Sequence, residues 1–66
     1  MDVGQKVKVT RIRYRKTEEL TSSAATKIGE VGTIEDYKMT DGSGIGYKLA
    51  FDDNSSNWFF EDEVES

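Results

Sequence analysis

The stretch "VGTIEDYKMTDGSGIGYKLAFDDNSSNWFFE" (31–61) decides the fold. Apolar and polar residues alternate along much of it, the period of a strand with one buried face. The alternation is cleanest in "IGYKLAFD" (45–52), which sets Ile45, Tyr47, Leu49 and Phe51 on one face. "VGTIEDYKMT" (31–40) reads as the preceding strand, introduced by Gly29 and Gly32, and "WFFE" (58–61) as a short following one. Asp41–Gly42 is a hairpin signal, because Gly takes a positive φ at no steric cost. "DDNSSN" (52–57) is a second turn, centred near Asp53–Asn54. "GSGIG" superficially matches a phosphate-cradling loop, but such loops open a helix, and here another strand follows.

Upstream, "GQKVKVTRIRYRK" (4–16) alternates apolar and charged residues, with a phase slip between Val9 and Ile12. One extra residue repairs the phase, so a β-bulge is predicted near Thr10–Arg11. Val7, Val9, Ile12 and Tyr14 then face inward, and Lys6, Lys8, Arg11, Arg13 and Arg15 share the solvent face. "TEELTSSAATKIGE" (17–30) has weak periodicity and is crowded with Ser and Thr, which favours a long loop with room for one helical turn. A loop of that length in a small domain is often mobile or functional. "EDEVE" (61–65) reads as a single turn ending on one apolar anchor, Val64. Short strands separated by turns imply an all-β fold, a small five-stranded barrel with one long loop (17–30), in a single domain spanning 1–66.

Composition narrows the chemistry. Of the 66 residues none is Cys, His or Pro. Disulfides, thiolate sites and iron–sulfur clusters are excluded, and the usual general base near neutral pH is missing. No cofactor and no metal are expected; "DDNSS" (52–56) lacks the ligand spacing and Gly of a calcium loop. Without His to activate Ser or Thr, and with acids in a solvated run, no catalytic residue is assigned and an enzyme is not expected. No apolar run reaches the ~20 residues of a membrane span, and "MDVGQKVKV" has no signal-peptide character.

The net charge of −4 is unevenly spread. Residues 6–16 hold six bases and no acid, whereas 52–65 hold six acids and no base. Such polarity either steers a charged partner or pairs the two runs with each other. A KOW-like RNA- or ribosome-binding module is the alternative reading, suggested by "KIGEVGTIEDY" (27–37) and by bases interleaved with Tyr14. The acidic balance opposes it, so nucleic acid is not expected. An SH3-type binder of Pro-rich peptides is a third class, needing an aromatic-lined groove.

"MDVGQKVKVTRIRYR", "KIGEVGTIEDYKMTDGSGIGYKLAFDD" and "NWFFEDEVE" together resemble the PetP family, small peripheral subunits of the cyanobacterial cytochrome b6f complex. More loosely, the layout is similar to other small barrels of photosynthetic electron transfer: PsaE of photosystem I, the S subunit of the photosynthetic NDH complex and the variable chain of ferredoxin–thioredoxin reductase. The resemblance implies a five-stranded SH3-like barrel, monomeric in isolation, on the cytoplasmic side of the thylakoid membrane. It implies a non-catalytic subunit that tunes linear against cyclic electron flow by contacting the cytochrome b6f complex or a related photosynthetic membrane complex. Parity alone allows either Trp58 and Phe60 or Phe59 to face inward; the layout of the related barrels favours Phe59, with Glu61–Glu63 as a solvated turn. Trp58 and Phe60 are then an exposed aromatic pair and, with Arg11, Arg13, Arg15 and Lys16, the expected partner-binding residues.

Overall fold

The computed structural model describes residues 1–40, 42 and 44–66. Five strands, β1 (Lys6–Val9), β2 (Val31–Thr40), β3 (Gly44–Ala50), β4 (Ser56–Phe60) and β5 (Val64–Glu65), form one antiparallel sheet in the order β4-β3-β2-β1-β5. The fold is mostly β, as expected, and the sheet curls around a core of Val7, Val9, Ile34, Tyr47, Leu49, Phe51, Phe59 and Val64. The β-ladder does not run from β4 round to β5, so the barrel is an open one.

The middle of the sheet follows the pattern closely. Tyr47, Leu49 and Phe51 are buried and Ile45 packs against them. Phe59 is 1 % exposed and meets Phe51 edge-on, with ring centroids 5.9 Å apart. The expected β2–β3 turn falls on Asp41–Gly42, of which Asp41 lies outside the described residues; Gly42 has φ +71°. At the next turn Asn54 takes φ +66° and donates its N–H to the Phe51 carbonyl at 3.1 Å, close to the expected Asp53–Asn54 position. Val64 is buried after a single 3₁₀ turn (Glu61–Glu63).

The first strand is shorter than expected. β1 ends at Val9, and residues 10–16 are not strand. The interruption falls where the phase slips: the N–H groups of Thr10 and Arg11 both point to the Glu63 carbonyl, at 2.8 and 3.4 Å. That two-against-one pattern is bulge-like, but pairing does not resume after it. Ile12 still packs against the core, whereas Tyr14 is 70 % exposed rather than inward. A register shift occurs instead in β2, between Ile34 and Asp36, and brings Tyr37 and Met39 opposite Tyr47 and Ile45.

The expected long loop at 17–30 contains α1 (Glu18–Ala25), an eight-residue helix. Thr17 caps it, its hydroxyl accepting from the Leu20 N–H at 3.1 Å. Glu18 and Glu19 lie in the first turn, where the helix dipole favours acids. The apolar periodicity was weak because α1 buries only Ala24. Beyond α1, Lys27 donates to Asp53 and Ser55 at 3.2 and 3.1 Å and lies 4.7 Å from the centre of the Phe51 ring, tying the segment to the β3–β4 turn.

Gly32 is closely hemmed in: a Cβ there would lie 3.0 Å from the Phe51 ring, 3.1 Å from Leu49 Cβ and 3.2 Å from the Ala50 carbonyl oxygen. Because one of those neighbours is backbone, relaxation is limited. Gly32→Ala should lower stability by about 1–3 kcal/mol, read as a lower urea midpoint at unchanged slope. An unchanged midpoint would show that the β2–β3 contact is looser than described.

Candidate docking surface and its supporting ion pair

The arginines of residues 11–15 turn toward the chain's own acidic end. Glu63 has no solvent-exposed side-chain surface. Its Oε1 accepts from Arg15 Nη2 and the Phe60 N–H, both at 2.8 Å, and its Oε2 from Arg15 Nη1 at 2.8 Å and the Arg13 N–H at 2.5 Å. Arg15 also donates to the carbonyls of Arg13 and Trp58, at 3.0 and 3.2 Å, and its N–H donates to the Thr21 hydroxyl of α1 at 2.7 Å. Its guanidinium sits 5.6 Å from the Phe60 ring centre and 5.7 Å from that of Phe59.

Two expectations are corrected here. Glu63 is buried, not part of a solvated turn. Arg15 is only 15 % exposed, so Arg11, Arg13 and Arg15 do not share one open face. Arg13 grips both oxygens of Asp62, at 2.9 and 3.0 Å, while lying 4.4 Å above the Phe60 ring. Arg11 bonds the Asp62 carbonyl at 2.7 Å, and its ion pair with that carboxylate is longer, 3.8 Å, and exposed. The cause is positional: leaving the ladder at Val9 lets residues 10–16 run beside the C-terminal turn, where unlike charges meet.

Phe59 faces inward, as the resemblance implied, and Trp58 and Phe60 are half-buried on the other side of β4. They floor a groove of about 420 Å³ whose rim includes Tyr14, Lys16 and Leu20. A second depression of about 230 Å³ shares Arg15, Trp58 and Phe60 with it and reaches Lys38 and Thr40. Lys16 and the aromatic pair therefore meet at one place, while Arg11 and Arg13 belong to the adjoining Asp62 cluster. Lys38, whose Nζ lies 4.9 Å from the Trp58 ring centre, and Leu20 of α1 were not expected at the site. Lys38 was legible only as a cross-strand neighbour once the β2–β3–β4 register was known; Leu20 required the helix.

Burial disfavours ionised Glu63, but hydrogen bonds from Arg15 and from the Arg13 and Phe60 N–H groups, with the charge of Arg15, hold its pKa below the ordinary 4.5. A folded-state pKa below the unfolded one gives stability that is complete above the unfolded value and lost as pH falls through the folded one. Urea midpoints should thus be level from neutral pH down to about 5 and fall below about 4. Glu63→Ala strips the half-buried Arg15 of its carboxylate and the Arg13 and Phe60 N–H groups of their acceptor, and should cost about 3 kcal/mol. Glu63→Gln should flatten the acid limb. An acid limb equally steep in Glu63→Gln would assign it to other carboxylates.

A family model described as "Cytochrome b6f, subunit Tsr0524-like" matches residues 3–65. A comparison with curated proteins gives no match. Among solved structures, the chain is similar to the solution structure of the cyanobacterial cytochrome b6f complex subunit PetP. The two are 58 % identical over 98 % of this chain and 77 % of that one, with a TM-score of 0.77. Matched across nearly all its length and folded like that subunit, the chain belongs to the Tsr0524-like family of cytochrome b6f subunits.

Proposed function

We propose that this protein is a non-catalytic subunit that docks on the cytochrome b6f complex and tunes electron flow through protein contacts alone. Family membership carries the reading, and the chemistry of the chain agrees with it. A sequence with neither Cys nor His has no axial ligand set for haem of the usual kind and no thiolates for a cluster, so its effect on electron transfer is indirect. Among the described residues no helix is long and apolar enough to cross a membrane. In this reading it attaches from the cytoplasmic side as a peripheral, otherwise monomeric subunit.

Docking centres on Trp58 and Phe60 with Lys16 beside them. Half-buried aromatics held rigid by a strand lose little entropy on binding, and aromatic residues are enriched at interface centres. Arg11 lies at the rim through its exposed end. Arg13 and Arg15 act from beneath: they hold the aromatic pair and the C-terminal turn rather than meeting the partner through open charge.

A tagged copy in thylakoids solubilised with mild detergent should migrate with the cytochrome b6f complex on native fractionation. Trp58→Ala should reduce the bound fraction while the circular dichroism spectrum stays native. Migration of the tagged wild-type chain as a free small protein beside an intact complex would sink the reading.

A further inference from the structure

The outer face of the β2–β3–β4 region sets lysines beside the aromatic pair of β4. In the register, Lys48 stands opposite Trp58, Gly46 opposite Phe60, and Lys38 opposite Gly46, so these side chains share one face. Lys38 covers the Trp58 ring and lines the smaller depression, and Lys16 lines the larger groove that shares the Trp58–Phe60 wall. Among the described residues Lys16, Lys38 and Lys48 form no ion pair. In a chain of net charge −4, three lysines outside any ion pair flank the aromatic floor, and Asp36 stands across from Lys48 on the side away from Trp58. The other exposed apolar residues of the hairpin, Tyr37 and Met39, pair with Tyr47 and Ile45 and belong to the opposite face.

We infer that these two joined depressions take an extended acidic segment of the partner protein, its apolar side chains packing beside the Trp58 and Phe60 rings and its carboxylates meeting Lys16 and Lys38. The assignment rests on the docking reading above and adds the face used and the chemistry of what meets it. Extension follows from shape: the two depressions share the Trp58–Phe60 wall, so an occupant runs past the rings instead of ending in a pocket. Acidity follows from the unpaired lysines, since complementary charge sets register and encounter rate. A single-stranded nucleic acid needs open ring faces on which to stack. Here Lys38 lies 4.9 Å over Trp58 and Arg13 lies 4.4 Å over Phe60, so both rings already carry a cation.

The test measures affinity for detergent-solubilised cytochrome b6f complex depleted of this subunit. Lys16→Glu combined with Lys38→Glu should weaken binding roughly tenfold or more near physiological ionic strength, with the deficit shrinking as salt is raised. Both side chains are exposed, so the melting curve should stay native; Trp58→Ala should lose affinity at every salt concentration. Tyr37→Ser combined with Met39→Ser should leave affinity within about twofold, as expected for a face outside the contact. Full affinity in the lysine variant, or its loss in the Tyr37/Met39 variant, overturns the assignment while leaving docking intact. Wild-type protein that fails to bind the complex removes docking and the assignment together. Tight binding of an oligouridine that quenches Trp58 would replace the acidic peptide with RNA.

Discussion

The open side of the sheet is closed by one ion pair. β4 has no strand on its outer edge, where backbone donors and acceptors would otherwise invite another chain. Side chains meet them instead: Glu63 accepts the Phe60 N–H, Arg15 donates to the Trp58 carbonyl, and the Asn57 side chain accepts the Trp58 N–H. From the other side of the gap, Glu63 also receives the Arg13 N–H and its carbonyl receives Thr10. A carboxylate and a guanidinium thus do across this seam what a ladder does elsewhere.

Whether such a pair stabilises is decided by its hydrogen bonds. Removing two charges from water costs several kcal/mol per ion, and attraction alone seldom recovers it. Here the carboxylate accepts four donors and the guanidinium reaches two further carbonyls, so desolvation is offset on both sides. Among the described residues no buried side-chain polar atom lacks a partner. The Arg11–Asp62 pair, largely exposed and screened by water, adds little. In a domain this small, with a thin core, the buried pair carries the architectural role and the exposed one trims the surface.

The same pair connects fold to surface. Arg15 sits between the Thr21 hydroxyl of α1, the Glu63 carboxylate and the aromatic rings of β4. It therefore positions α1, with Leu20, on one side of the groove and Trp58 and Phe60 as its floor. The groove is a by-product of closing the barrel, and its aromatic floor is rigid for that reason. Asp62 and Glu63 are drawn into that closure, while Lys16 and Lys38 line the groove outside any ion pair.

Residues 31–61 determined the hairpins by themselves. Period-two alternation and turn residues are local, so β2, β3, the turn near Asn54 and the inward set Tyr47, Leu49 and Phe51 were legible in order. The family resemblance supplied the inward direction of Phe59, which parity had left open. Tertiary structure decided what depends on distant partners. The helix at 18–25 rests on a cap, an N-terminal acidic turn and a single buried Ala24, too little apolar pattern to announce it. The end of β1 at Val9 and the outward Tyr14 follow from the Glu63 carbonyl capturing two consecutive N–H groups. Alternation placed the arginines on a solvated face, and the family resemblance placed the glutamate in a solvated turn. Only their approach across about fifty residues of chain, where each found the other in place of water, made Arg15 and Glu63 interior.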